Sequence, residues 1–131
     1  MERKFTEWFL RLALSIGFLS AVADRFGWWP AEWSAWRDWG SFVEYTQLLN
    51  PWIPVTLIGF TAAVATGLEI ILAIGLLIPY KTVWTARISG ILLLIFGLAM
   101  AFNLNIKAPL DYSVFPASAA AFALGFLVRD L

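Results

Sequence analysis

Four long apolar runs are separated by short polar breaks. The first extends from about Phe5 to Phe26, and the second is Val55 to Ile78, "VTLIGFTAAVATGLEIILAIGLLI". The third covers about Thr82 to Asn103 and the fourth about Tyr112 to Val128. A helix that crosses a bilayer takes about 20 apolar residues, with a range of ~17–25. The first three runs meet that length. The fourth is short, and Pro116 falls in its opening turns, where a missing N–H costs little. The pattern predicts an all-α fold: a polytopic membrane four-helix bundle forming a single domain over residues 1–131. The first run has a rival reading. Basic residues, an apolar stretch and "AVA" before Asp24 also resemble a cleavable signal peptide. A retained helix is the expectation preferred here.

The first connection, residues 27–54, has its own pattern. It carries Trp28, Trp29, Trp33, Trp36, Trp39 and Trp52, six of the eight tryptophans. Pro30 suits a first helical position. At 100° per residue, Trp29, Trp33, Trp36 and Trp39 share an arc of about 120°. Gly40 can end that helix, and Ser41 with Glu44 forms a capping box for a second, "FVEYTQLL". Asn50-Pro51 stops it. Two short interfacial helices are expected, with the Trp face turned to the membrane. They form either an aromatic belt or a lid over a site.

Small residues point to helix contacts. Gly59, Ala63 and Gly67 are spaced by four, as are Ala117, Ala121 and Gly125. Such stripes let helix backbones approach in lipid. Glu69 shares a stripe with Ala62, Ala65 and Ala73, and Arg87 with Gly90, Leu94, Gly97, Ala101 and Asn105. Both charges are therefore expected to face the bundle interior. Glu69 lies about nine residues, or ~13 Å, from one end of its helix. A Glu69–Arg87 ion pair is expected, either fixing helix register or serving a ligand. Arg11 shares its face with Leu14, Phe18, Val22 and Arg25. That face reads as lipid-facing, with both arginines snorkelling to opposite surfaces. Asp24 lies on the face of Ala13, Gly17 and Ser20 and is expected to turn inward. At its level should lie Asn103, Asn105, Lys107, Asp111 and Tyr112. The candidate ligand-binding residues are thus Asp24, Asn105, Tyr112, Glu69 and Arg87.

Composition and charge narrow the chemistry. The chain is 61% hydrophobic and only 14% charged, with a mean hydropathy of +0.79. A soluble domain has about a quarter charged residues. Nine basic and nine acidic residues cancel, so no basic patch invites nucleic acid. There is no Cys and no His. That excludes disulfides and Cys- or His-held metal centres, and it removes the usual general base. No catalytic residues and no metal ligands are assigned. Arg3, Lys4, Arg11, Lys81, Arg87 and Arg129 fall on one side of the predicted spans, and Arg25, Arg37 and Lys107 on the other. The six-to-three split predicts both termini in the cytoplasm.

The segments "RLALSIGFLSAVADRFG", "ATGLEIILAIGLLIP", "TARISGILLLIFGLAMAF" and "APLDYSVFPASAAAF" together resemble the DoxX family of small bacterial four-helix membrane proteins. The resemblance covers all four runs. Its clearest features are Glu69 before a Gly-Leu-Leu run and Arg87 soon after the turn. The first helix departs from the family, which often carries Gly and Lys where Ala23, Asp24 and Arg25 stand here. The resemblance implies a bacterial inner-membrane location. It also implies an association with redox enzymes, since relatives include a subunit of a thiosulfate:quinone oxidoreductase.

The leading expectation is a protein that binds an amphiphile, a quinone or a lipid, within its bundle and supports a membrane-associated redox partner. It would be at most a non-catalytic or quinone-binding subunit of an oxidoreductase, with no covalent or metal cofactor. Its candidate partners are the bilayer, the quinone or lipid ligand, a soluble or membrane redox enzyme and a second copy of the chain. The alternatives are a purely structural subunit and a small transporter or channel. Without an evident inverted repeat the last is disfavoured.

Overall fold

The computed structural model describes residues 1–129. It is all-helical among those residues. Six helices run in order: α1 Glu2–Arg25, α2 Trp39–Leu49, α3 Val55–Leu77, α4 Thr82–Asn103, α5 Lys107–Asp111 and α6 Val114–Val128. α1, α3 and α4 are each long and apolar enough to cross a membrane. α6 is an apolar helix of 15 residues, with Pro116 in its first turn as expected.

α1 packs on α3 and α6, and α4 packs on the same two helices, closing a ring of four. Hydrogen bonds from Arg11 to Leu76 and from Ser15 to Ala73 show that α1 and α3 run antiparallel. Leu14, Phe18, Leu72, Leu76, Ala86, Ala121 and Leu124 belong to the core, which draws on α1, α3, α4 and α6. The outer surface is strongly apolar, with Phe9, Ile16, Phe60, Ile71, Ile95 and Phe126 all exposed.

α4 and α6 approach closely because small residues lie between them. A Cβ built on Gly90 would come within 2.8 Å of the Phe122 ring, and one on Gly97 within 2.8 Å of Phe115. Gly125 meets the Ala86 Cβ at 3.5 Å, and the Ser118 hydroxyl donates to the Gly90 carbonyl at 2.7 Å. The Ala117, Ala121 and Gly125 stripe therefore makes the expected contact. The Gly59, Ala63 and Gly67 stripe does not. Gly59 and Ala63 are exposed, and Cβ atoms built on Gly59 and Gly67 meet nothing.

The face expected to meet lipid on α1 is instead its buried face. Glu7, Arg11, Leu14, Ser15, Phe18, Val22 and Arg25 all lie inside. Ala13 and Gly17 are exposed. The large apolar side chains fill the core, and each arginine finds a carboxylate there, which offsets the cost of burying its charge.

The first of the two expected interfacial helices is absent. Residues 31–33 form turns, and Arg37 takes a positive φ of 73°, which breaks any helix through it. Helix α2 starts earlier than expected, capped by Asp38, whose carboxylate accepts from the Ser41 N–H at 2.8 Å. Those bonds from Ser41 hold the Asp38 carboxyl below its usual range. α2 lies across α3, with further contacts to α4 and α1.

A buried ion pair under an aromatic cover

Arg25 is the last residue of α1, and its guanidinium turns into the ring of helices. One nitrogen, Nη1, donates to the Thr66 hydroxyl at 2.8 Å and to the Glu69 carboxylate. Thr66 and Glu69 stand three apart on α3, so both face the same neighbour. Arg25 is 2% exposed and Glu69 3%. In so apolar an interior each charge is tolerable only because the other is there. The guanidinium carbon also lies 3.8 Å from the centroid of Phe42 and 5.3 Å from that of Trp36. Both rings offer their faces to a cation. Arg25 Nε has no hydrogen-bond partner among the described residues.

The cover over this pair is built from the Trp-rich connection. Trp36 packs edge-on to Phe42 at 5.0 Å and tilts against Tyr45 at 5.8 Å. Phe26 stacks on Trp39 at 5.7 Å, with 5° between the ring planes. Burial raises the Tyr45 phenol above its usual range, with a further push from the Tyr112 phenol, so Tyr45 stays neutral. Asp24 ties the cover down. Its carboxylate accepts from the Ser34 hydroxyl and from the Ala35 N–H, the latter at 2.8 Å. Adjacent residues differ by about 100° around a helix. That angle lets Arg25 enter the interior while Asp24 holds the loop outside it.

A second buried pair closes the opposite end of α1. Arg11 Nε donates to Glu7 at 2.8 Å, Nη1 to the Leu76 carbonyl at 2.8 Å and Nη2 to the Thr82 hydroxyl at 2.8 Å. Leu76 ends α3 and Thr82 starts α4, so one side chain pins three helices together. A cation beside the carbonyl end of α3 also suits the helix dipole.

Some of the sequence-predicted residues meet and others do not. Glu69 faces inward as expected, but its partner is Arg25 and not Arg87. Arg87 is half-buried, its Cγ 3.7 Å from a Cβ built on Gly125 and its guanidinium over Trp84 at 5.6 Å. It thus packs beside α6, a different helix from the one carrying Glu69. Asp24 is buried, but against the loop and not the bundle. Asn105 is exposed and caps α5 by accepting from Ala108 N–H at 2.9 Å. Tyr112 is 74% exposed. Among the described residues no hydrogen bond joins Asp24, Asn105 and Tyr112 to one another.

Arg25, Thr66, Trp36 and Phe42 were missed as site residues. A signal was present. Glu7 and Arg11 form a four-residue pair on the stripe that ends at Arg25, and a helix face bearing its own counter-ion is not built for lipid. Among the described residues no group of His, Cys, Asp or Glu is placed to hold a metal ion. No protein-family model, curated protein or solved structure matches this chain.

Proposed function

We propose that the chain is a DoxX-like bacterial inner-membrane protein. In this reading α1, α3, α4 and α6 form a four-helix transmembrane bundle that binds an amphiphile, a quinone or lipid, in support of a membrane-associated redox partner. The apolar outer surface supports the membrane setting, since soluble monomers rarely expose such contiguous patches. The observation that carries the ligand reading is Arg25: a buried cation with one N–H unpaired, roofed by aromatic rings that belong to a connecting segment. A few polar groups convergent under aromatic cover are the usual make-up of a small-molecule site. The head group belongs beside Arg25 and Glu69, with the tail between helices. Redox chemistry falls to the partner, because a chain without His or Cys lacks the usual ligands for an electron-carrying metal.

The test uses wild-type protein in mild detergent. Native mass spectrometry should find a co-purified amphiphile. A long-chain quinone or an added phospholipid should raise the melting temperature, by the equivalent of about 2.7 kcal/mol at a hundred times its Kd. A structural subunit is the second reading, favoured by the pairing of both interior acids, Glu69 with Arg25 and Glu7 with Arg11. That reading replaces ours if no amphiphile co-purifies and none shifts the melting temperature.

A further inference from the structure

Trp36 occupies an unusual position. It is half-buried, yet it belongs to neither flanking helix. Its indole fills a space walled by Phe42 and Tyr45 of α2 and by the Arg25 guanidinium. The backbone beside it is held in a costly form. Arg37 has a φ of 73°, a region where a side chain crowds its own backbone. Gly27 has a φ of 74°, and a Cβ there would come within 2.9 Å of the Arg37 carbonyl. Residues 27–37 thus form a closed loop that only glycine permits at its first position. The Asp24 carboxylate latches the loop by two hydrogen bonds, at Ser34 and Ala35, immediately before Trp36. Arg25 Nε is left unpaired beneath it.

We propose that Trp36 is a built-in plug in a ring-binding slot, and that the slot's occupant is a planar conjugated ring bearing a carbonyl oxygen. This rests on the amphiphile reading and specifies its head group. With Trp36 withdrawn, the vacated space has the dimensions of an indole. Phe42 meets that space in an edge-to-face contact and Tyr45 at a tilt, aromatic geometries that another flat ring can also adopt. Arg25 Nε supplies a donor that a carbonyl oxygen satisfies and a hydrocarbon does not. Thr66 and Glu69 keep Nη1 occupied, so the guanidinium stays oriented while Nε binds. A negatively charged head group fits less well, because it would lie within reach of the Glu69 carboxylate. The Asp24 latch is separate from the Arg25–Glu69 pair, so moving the loop need not break that pair.

Binding of naphthoquinone, naphthalene and indole to the purified protein in detergent tests this, with wild type, Trp36→Phe and Trp36→Ala compared. The chain has no cysteine, so the quinone meets no thiol to alkylate. Trp36→Ala, shown to be folded by its helical circular dichroism, should bind naphthoquinone about tenfold or more tighter than wild type does. It should also prefer naphthoquinone to naphthalene by about tenfold, which one hydrogen bond from a charged donor supplies. Trp36→Phe, a milder change that keeps an aromatic plug, should fall between. Equal binding of naphthoquinone and naphthalene would mean a mere apolar hole and overturn the slot, as would no gain over wild type in either variant. If amphiphiles stabilise the wild type but the variants do not discriminate, the slot is wrong and the function reading stands. If the variants discriminate but no amphiphile stabilises the wild type, the slot stands and the function reading falls.

Discussion

The sequence pairs Glu69 with Arg87 and sends Arg25 to the headgroups, whereas in the structure Arg25 is the residue that meets Glu69. The Arg25 side chain descends from the end of α1 to meet Thr66 and Glu69 on the facing helix. Arg87 instead packs its Cγ beside Gly125 of α6 and its guanidinium over Trp84. Removing one partner of a buried pair leaves an uncompensated charge, at a cost of about 3–5 kcal/mol. Glu69→Gln and Arg25→Gln should each lower stability by that order in detergent unfolding, and the double variant should lose clearly less than the sum. Arg87→Gln should cost less than about 1 kcal/mol, since Trp84 supplies a stacking contact at 5.6 Å and the ion pairs among the described residues include none between Arg87 and an acid. A large loss at Arg87 with none at Arg25 would reverse the assignment. The inward face of Glu69 was legible in the sequence because alanines flank it at helical spacing, and Ala62 and Ala73 are indeed fully buried. Its partner was not legible. A helical stripe says which way a Cβ points, but not how far a flexible arginine travels along its neighbour.

At the scale of elements, apolar run length located the helices closely. α4 spans Thr82–Asn103 and α3 Val55–Leu77, within a residue of the ends that hydropathy sets. The direction of each face was less legible, because in a chain this apolar both sides of a helix are greasy. Small-residue stripes illustrate this. The one on α6 packs on α4, while the one on α3 faces outward. The segment before α2, residues 30–38, departs from its expected helix for a different reason. Trp spacing suited a helix, but Asp24 and the positive φ of Arg37 impose turns that no periodicity reveals. The two glycine environments predict opposite responses to alanine. At Gly90 the added methyl meets Phe122 at 2.8 Å. Overpacking of that kind costs about 1–3 kcal/mol, against about 1 kcal/mol gained in helix propensity. Gly90→Ala should therefore lose up to about 2 kcal/mol, and adding Phe122→Ala should remove the clash. Gly59→Ala, with nothing near it, should keep or raise the melting temperature. A loss at Gly59 would instead place a closely packed second chain against that face.

For the molecule as a whole, the two buried ion pairs sit at opposite ends of α1 with Leu14 and Phe18 between them. Arg11 and Arg25 are 14 residues apart, or about 21 Å along the helix. Leu14, Phe18 and Val22 line the interval, and its one buried hydroxyl, Ser15, is bonded to the Ala73 carbonyl, an arrangement that supports a sealed interior over the transporter or channel reading. The same ends fix the topology that the bundle would adopt. Arg3 near the start of α1 donates to the Leu127 carbonyl near the end of α6, so the start of α1 and the end of α6 lie at one end of the molecule. Burial of Arg11 and Arg25 removes one basic residue from each side of the six-to-three split. Arg3, Lys4, Lys81, Arg87 and Arg129 remain at that end, against Arg37 and Lys107 at the other. The bias sharpens, and in the proposed membrane setting the positive-inside rule predicts cytoplasmic termini.

Because the natural chain has no cysteine, single cysteines can read that topology directly in intact cells. Trp33 is 74% exposed in the connection between α1 and α2, and Tyr80 is 69% exposed in the turn between α3 and α4. If α1 and α3, two of the three helices long and apolar enough to cross, both span the membrane, these two positions lie on opposite sides of it. Trp33→Cys should be labelled by a membrane-impermeant maleimide added to whole cells. Tyr80→Cys should be labelled only after the cells are opened. A cytoplasm-dependent fluorescent reporter fused after Leu131 should give signal, in agreement with Tyr80→Cys. Labelling of Tyr80→Cys but not Trp33→Cys in intact cells would invert the orientation while leaving the bundle intact. Labelling of both would mean that α3 does not span. That outcome would remove the membrane setting in which the Arg25–Glu69 pair and its aromatic cover are read as a site for an amphiphile.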